Sequence, residues 1–270
     1  MADEIDLRER MRSLPVVYEL PGMDRVEVRS DLIYKSVDGQ PLYANVYAPP
    51  VSQREPDRLL PAVLFVGRQQ TLYSSWGKLA AASGLMAVTF DYSPIGNYEH
   101  LREPEQDVLD LLEFVRGQGA RLGLDANRLG IWACSSPPVI GWRMALRDAP
   151  AYIRCLVCYY GALNLEHLLT EADPPEVWDL LREYSLVKYL SQRPQSLPPM
   201  LVVRAGRDHP LNNQSIDAFV AEALRQNAPI EVINYPEGRH AFDVLDNTDR
   251  TRQIIRRTLA FLQTHLFSEM

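Results

Sequence analysis

The chain has 270 residues, 46% of them hydrophobic, and a formal net charge of −7. Its length and apolar content are typical of one large domain with a buried core. The acidic balance, with no basic run, argues against nucleic acid and anionic membranes as partners. No apolar stretch in the sequence approaches the length of a membrane span, and we expect no secretory signal in the acidic start, 1–6.

Runs rich in β-forming residues recur along the chain and predict eight strands. A hairpin comes first, over 26–34 and 41–47, with Asp38-Gly39 at its turn. Six further strands are predicted at 62–66, 86–92, 129–134, 155–160, 201–205 and 230–235. These six are continuous apolar runs, which are typical of parallel strands covered on both faces.

Amphipathic helical patterns lie between the strands, at 106–115, 216–224 and 254–261. A hairpin followed by strand–helix units predicts an α/β fold, with about eight mostly parallel strands flanked by helices. We divide the chain into an N-terminal leader, 1–22, and one domain, 23–270. The interval 162–198 is long for a crossover and is predicted to be a small cap; the alternative is an ordinary helix with a surface loop.

The strand 129–134 runs directly into Ser135, and an amphipathic helix follows. A serine at such a junction is held on a sharp turn with its hydroxyl exposed, beside the free N–H groups of the helix. The usual G-x-S-x-G pattern is reduced here to Ala133-x-Ser135-x-Pro137. Proline suits a first helical turn, but it restricts the backbone of the preceding Ser136.

Two later strands end at residues that would complete this chemistry. Asp208 follows strand 201–205, and His240 follows strand 230–235 after a short turn. Catalysis in open α/β sheets takes place at the carboxyl ends of the strands. The three positions together predict a serine nucleophile, a histidine base and an aspartate that orients the base. The plainer interpretation is a helix cap, a surface histidine and a turn-capping aspartate.

From residue 31 to the C-terminus the sequence resembles the α/β-hydrolase superfamily, above all its esterase and dienelactone-hydrolase-like branches. The segments that carry the resemblance are 38–42, 90–92, Asp107, 124–130, the serine turn, 206–208 and 238–242. The resemblance implies that Ser135 is the nucleophile, Asp208 the acid and His240 the base. It also implies a small residue six positions after the serine, which here is Gly141.

The resemblance further implies two backbone N–H donors for an oxyanion. One is Ser136, and the other is by position Gln69, with Arg68 as the alternative. Many relatives have His-Gly in this loop, whereas this chain has Gly67-Arg68-Gln69-Gln70. The departures in this loop and at the serine turn leave open a non-catalytic, ligand-binding member of the fold.

Other side chains compete for these roles. As nucleophiles, Cys134 or Ser136 would place larger residues at the tight positions of the turn, so we expect core packing for Cys134. His209 is expected to be exposed or at the rim of the site. Three aromatic residues near strand ends either line an acyl pocket or pack in the core: Trp76, Tyr159 and Tyr160.

The three cysteines, Cys134, Cys155 and Cys158, are expected to be buried thiols of a cytoplasmic protein. No metal and no other cofactor is expected, because the C-x-x-C pair lacks a second pair of ligands. The predicted function is a serine hydrolase that cleaves a carboxylic ester of a small or medium soluble substrate through an acyl-enzyme. The same triad acting on a thioester, lactone or peptide bond is the alternative. The oligomeric state is left open, with a homodimer among the alternatives.

Overall fold

The computed structural model describes residues 13–67, 71–95, 100–170, 173–192 and 196–268. At its centre is an eight-stranded sheet with the order β1-β2-β4-β3-β5-β6-β7-β8. The strands are β1 (Glu27–Val37), β2 (Gln40–Ala48), β3 (Leu60–Val66), β4 (Met86–Phe90), β5 (Leu124–Cys134), β6 (Ile153–Tyr159), β7 (Met200–Ala205) and β8 (Ile230–Tyr235). β2 is antiparallel to β1 and β4, and the other neighbours are parallel. The predicted sheet of eight mostly parallel strands is confirmed.

Helices cover both faces of the sheet. They are α1 (Thr71–Ala82), α2 (Arg102–Leu122), α3 (Pro138–Gly141), α4 (Arg143–Arg147), α5 (Pro175–Tyr184), α6 (Val187–Leu190), α7 (Pro210–Arg225), α8 (Phe242–Leu245) and α9 (Asp249–Phe267). Side chains of α1 and α9 pack on one face, and those of α2, α3, α4 and α7 on the other. Alternate residues of the central strands enter opposite cores, which explains their continuous apolar runs.

The strand boundaries differ from the predicted ones where polar residues obscure the pattern. β5 begins at Leu124, five positions before the expected start. Its first residues include Asp125 and Arg128, which form an ion pair of 2.6 Å at the protein surface. Leu124 pairs with Leu60 before a register shift. A charged, half-exposed strand start lacks the apolar signal on which the prediction depends.

The parallel register brings the carboxyl ends of four strands to one edge. Cys134 of β5 lies opposite Tyr159 of β6, and Tyr159 lies opposite Val203 of β7. Ala205 of β7 lies opposite Tyr235 of β8. The loops that follow these strands therefore leave the sheet side by side, and they carry the candidate site residues.

The helical segment after the serine turn lies very close to the sheet. A Cβ atom added to Gly141 would lie 2.9 Å from Cγ2 of Val66 on β3. Such a separation is shorter than van der Waals contact, so a larger side chain would push α3 away from β3. The small residue expected at this position is thus explained by close packing of helix and sheet.

The described part of the leader lies against the domain. Val16 is buried, and its N–H donates to Oγ of Ser75 on α1 at 2.8 Å. The N–H of Val17 donates to the backbone oxygen of Asp243 at 2.8 Å. Val16 and Val17 therefore hold this segment against α1 and α8.

The interval 162–198 contains α5 and α6 and is anchored by Arg143 of α4. This guanidinium is buried and binds both carboxylate oxygens of Glu105 at 2.6 and 2.7 Å. It also donates to Oε1 of Glu183 at 2.7 Å and to Oη of Tyr189 at 3.0 Å. One side chain thus connects α2 with both helices of the interval. The assignment of this interval as a cap stays a prediction.

The cysteines are buried thiols. Cys155 packs in the core under α1 and α9, whereas Cys158 packs in the core on the opposite face. The two sulfur atoms of the C-x-x-C pair are therefore separated by the sheet, and burial raises the pKa of both thiols. Within the described ranges, no helix has the length and apolar character of a membrane span.

Candidate active site

Ser135 occupies a strained turn immediately after β5. Its φ of 61° lies in the left-handed region, which a non-glycine residue seldom adopts. Two backbone hydrogen bonds hold this turn. The Ser135 N–H donates to the carbonyl oxygen of Tyr159 at 3.2 Å, and the carbonyl oxygen of Ser135 accepts from the Ala162 N–H at 2.7 Å. The sequence predicted this sharp turn. The structure shows that the hydrogen bonds holding the turn come from the end of β6 and from the residues just after it.

The two prolines after the serine turn begin a helix. Pro137 has φ −53° and ψ −25°, and its oxygen accepts from Gly141 N–H at 2.9 Å. The absence of an N–H on proline costs little there, because the first N–H groups of a helix have no intrahelical acceptor. Among the described residues, no acceptor pairs with the Ser136 N–H, which precedes this helix.

The loop after β7 carries Asp208 and is joined to the loop after β8. Gly206 N–H donates to the oxygen of Tyr235, and Arg207 N–H to that of Gly238, both at 2.8 Å. These bonds extend the pairing of β7 and β8 beyond the strands themselves. They bring the carboxylate of Asp208 to the loop that contains His240.

The three side chains form a continuous hydrogen-bonded chain. His240 Nδ1 lies 2.8 Å from Oδ2 of Asp208, and His240 Nε2 lies 3.2 Å from Oγ of Ser135. The Asp208 side chain is 3% exposed and that of His240 27% exposed. The His240 imidazole is therefore reachable from solvent, whereas the Asp208 carboxylate behind it is shielded.

Asp208 is held as an ionised acceptor. Burial alone would raise its pKa, but hydrogen bonds from His240, Asn212 and the His209 N–H hold the pKa below its usual value. Oδ1 accepts from the His209 N–H at 2.7 Å and from Nδ2 of Asn212 at 3.0 Å. Oδ2 is thereby left for His240. A carboxylate at Nδ1 favours the tautomer in which Nδ1 carries the proton and Nε2 can accept one from Ser135.

The expected second oxyanion donor, Gln69, and its alternative, Arg68, lie outside the described residues. Gly67, the last described residue before them, is in close contact with Tyr73 of α1. A Cβ atom at position 67 would overlap the Tyr73 ring. Glycine is therefore required where the chain leaves β3.

Cys134 and His209 are not part of the hydrogen-bonded chain of Ser135, His240 and Asp208. Cys134 is buried, its sulfur lies 3.2 Å from Oη of Tyr73, and burial raises its pKa to about 12. Such a thiol is a poor nucleophile because almost none of it is ionised. The Nδ1 atom of His209 accepts from Leu211 N–H at 3.3 Å, so this imidazole caps α7.

Trp76, Tyr159 and Tyr160 are at most 1% exposed. Their burial favours core packing over a direct role in lining an acyl pocket. Tyr160 nevertheless contacts the site, because its ring centroid lies 4.6 Å from that of His240. Its hydroxyl donates to Asp243, a buried carboxylate that no pattern in the sequence indicates.

Two open cavities lie away from the hydrogen-bonded chain. One, of about 390 Å³, lies between the start of α2 and α5. The other, of about 590 Å³, lies at the amino-terminal ends of β5 and β6. Neither is lined by Ser135, Asp208 or His240. In the part of the chain that the structure describes, no group of three or more His, Cys, Asp or Glu side chains could hold a metal ion.

No protein-family model and no curated protein matches this sequence. The chain is similar in structure to the esterase Est2 of Thermogutta terrifontis with butyrate bound. The TM-score is 0.68 at 19% identity, over 92% of this chain and 98% of that chain. The form of that esterase phosphoramylated by tabun has a TM-score of 0.66 at 19% identity, over 93% and 98%. A thermostable esterase from Pseudomonas putida ECU1011 has a TM-score of 0.71 at 19% identity, over 98% and 89%.

The sheet order, the flanking helices and these similarities identify the fold as the α/β-hydrolase fold. The sequence resemblance predicted this fold correctly. The narrower dienelactone-hydrolase-like branch stays a prediction.

Proposed function

We propose that the protein is a serine hydrolase that cleaves a carboxylic ester of a small or medium soluble substrate. The observation that carries the proposal is the hydrogen-bonded chain from Ser135 through His240 to Asp208 at the carboxyl edge of the sheet. All three residues follow different strands. Such a chain is the arrangement required to activate a serine hydroxyl.

In the proposed reaction, His240 Nε2 takes the proton of Ser135 as Oγ attacks the ester carbonyl. Asp208 keeps the imidazole oriented and stabilises its positive charge. The tetrahedral oxyanion is proposed to accept hydrogen bonds from the N–H of Ser136 and from a second N–H, that of Gln69 or, as the alternative, of Arg68. Each such bond lowers the barrier by about 3 kcal/mol. Collapse breaks the bond to the alkoxide, which leaves with the proton from His240. Water then repeats the sequence on the acyl-enzyme and regenerates Ser135.

The structurally similar Thermogutta terrifontis esterase 2 supports the reaction class, because forms phosphorylated by paraoxon and phosphonylated by sarin are known. We therefore propose an organophosphorus probe as the first test. A fluorophosphonate is expected to label the wild type and not Ser135→Ala. Ser191→Ala is a matched control, because Ser191 is an exposed serine whose hydroxyl donates to the Lys188 oxygen at 3.2 Å. Absence of label from the wild type would favour a non-catalytic binding protein.

A panel of substrates tests the bond that is cleaved. p-Nitrophenyl esters of increasing acyl length are compared with phenyl thioesters, lactones and peptide amides. We expect ester cleavage to have the highest kcat/KM, with a preference for short or medium acyl groups. A higher value for a thioester, lactone or peptide would assign the same triad to that bond instead.

We further propose a cytoplasmic location, supported by the three buried free thiols. The proposed partners are small-molecule esters alone, without nucleic acid, membrane or cofactor, and the net charge of −7 supports this assignment. Sedimentation of the purified chain would distinguish a monomer from a homodimer.

A further inference from the structure

A second carboxylate, Asp243, lies buried close enough to His240 to interact with it electrostatically. It is 0% exposed. Its Oδ1 accepts from the Tyr160 hydroxyl at 2.6 Å, and its Oδ2 accepts from Nε1–H of Trp76 at 2.8 Å. Its backbone oxygen accepts from Val17 N–H at 2.8 Å. No lysine or arginine within the described ranges forms an ion pair with it.

Tyr160 connects this carboxylate to the catalytic histidine. It follows β6 directly, and its φ of 38° lies in the left-handed region. A tyrosine keeps such a conformation only where its surroundings hold it. Its N–H donates to the Val203 oxygen at 2.9 Å, and its hydroxyl is bound by Asp243. Between these two attachments, the ring lies 4.6 Å from the His240 ring at an angle of 55°.

The surroundings of Asp243 are otherwise apolar or weakly polar. Burial raises its pKa, and the hydrogen bonds from Tyr160 and Trp76 and the nearby His240 act in the opposite direction. Three further titratable groups interact with it electrostatically, namely Cys134, Tyr73 and Tyr159. A buried carboxylate without a cation is stable only if its oxygens are well hydrogen-bonded. The carboxylate of Asp243 therefore depends on its two side-chain donors, Tyr160 and Trp76. The ring of Tyr160 is also the one that contacts His240.

We propose that Asp243 is a positioning residue for His240, acting through Tyr160. By fixing the hydroxyl end of the Tyr160 ring, Asp243 keeps the imidazole where Nδ1 meets Asp208 and Nε2 meets Ser135. The proposal rests on the proposed function of the Ser135–His240–Asp208 chain. It adds Tyr160 and Asp243 to these three residues. Both act through the contact between the Tyr160 and His240 rings and not through contact with substrate.

Tyr160→Phe tests the connection directly, because it keeps the ring and removes only the hydroxyl. With a p-nitrophenyl ester, kcat is expected to fall about tenfold, since small displacements of a catalytic group lower the rate strongly. KM is expected to change little. Tyr47→Phe is the matched control: it removes the hydroxyl of a similarly buried tyrosine on β2, which accepts from Oγ1 of Thr89 at 3.4 Å. The control is expected to retain wild-type kcat and KM.

Asp243→Asn tests the carboxylate. Trp76 can only donate, so the amide oxygen must face Trp76 and the amide NH₂ must face Tyr160. The Tyr160 hydroxyl then has to accept instead of donate, which weakens the contact without removing it. We expect a smaller loss of kcat than in Tyr160→Phe. The double variant is expected to lose no more than Tyr160→Phe alone, because both changes act through one contact. Losses that multiply would overturn the proposal, as they would show that Asp243 acts independently of Tyr160.

Proton NMR of His240 gives a readout that does not depend on turnover. The proton on Nδ1, shared with Asp208, is expected to shift or broaden in Tyr160→Phe and in Asp243→Asn but not in Tyr47→Phe. If Tyr160→Phe does not fold, Asp243→Asn decides by the same measurement. Unchanged kcat and an unchanged His240 signal in a folded variant would overturn the proposal. A wild type without hydrolase activity whose His240 signal still responds would instead refute the proposed function and leave the positioning role standing.

Discussion

Replacing Asp208 by asparagine should place the wrong atom next to His240. In the native site Oδ1 accepts from two donors, the His209 N–H at 2.7 Å and the Asn212 amide at 3.0 Å. The asparagine oxygen must occupy this position, because an NH₂ group there would face both donors. The NH₂ group is then directed at His240 Nδ1, 2.8 Å away. Nδ1 must accept, so the proton moves to Nε2, where it prevents removal of the Ser135 proton.

The expected loss in Asp208→Asn is about 10⁴-fold in kcat, the size seen when a triad histidine is held in the wrong tautomer. This loss corresponds to about 5 kcal/mol of transition-state stabilisation. The assay is steady-state hydrolysis of a p-nitrophenyl ester, with folding checked by circular dichroism. Asn212→Ala is the control. It removes one donor and leaves the contact with His240, so kcat should fall about tenfold or less. A folded Asp208→Asn that kept more than about a tenth of wild-type kcat would refute the orienting role of Asp208.

Three further predictions concern stability, measured by chemical denaturation. Burial raises the pKa of Asp243 above its ordinary value of 3.8, so the native state binds more protons than the unfolded state. The free energy of unfolding of the wild type should therefore fall, relative to that of Asp243→Asn, as pH rises above 3.8. Parallel plots of the two free energies against pH would contradict this. Gly141→Val should lower the free energy of unfolding by about 1–3 kcal/mol, because a Cβ at this position would lie 2.9 Å from Cγ2 of Val66. Arg143→Met should lower the free energy of unfolding by about 3–5 kcal/mol, because it leaves the buried Glu105 without its cation. Arg143→Met combined with Glu105→Gln should recover part of this loss, and no recovery would contradict the ion-pair argument.

Much of the sheet is readable from the sequence, because parallel strands covered on both faces leave continuous apolar runs. The predicted strand 230–235 coincides with β8, and the predicted runs 62–66 and 201–205 lie within β3 and β7. The early start of β5 is not readable in this way, since Asp125 and Arg128 there are charged and paired at the surface. The sequence pattern also does not show that β3 and β5 are adjacent, because this pairing depends on the order of the strands across the sheet.

The candidate site likewise contains residues that the sequence indicates and residues that only the structure reveals. Ser135, Asp208 and His240 can be selected from the sequence, because each follows a recognisable strand and has a side chain suited to acyl transfer. Asn212 and Tyr160 carry no comparable signal, since an asparagine in a helix and an aromatic residue at a strand end are common. Asp243, three positions after His240, has significance only because folding buries it against Tyr160 and Trp76.

Local pattern is therefore sufficient for the strands, the turn at Ser135 and the choice of three reactive side chains. Burial, donor direction and ring contact arise only when distant segments meet. Asp208 and Ser135 are brought to opposite nitrogens of one imidazole by pairing between β7 and β8 and by hydrogen bonds from β6. The chemical identity of a side chain is a property of the sequence, whereas its acceptors, its pKa and its neighbours are properties of the packed molecule.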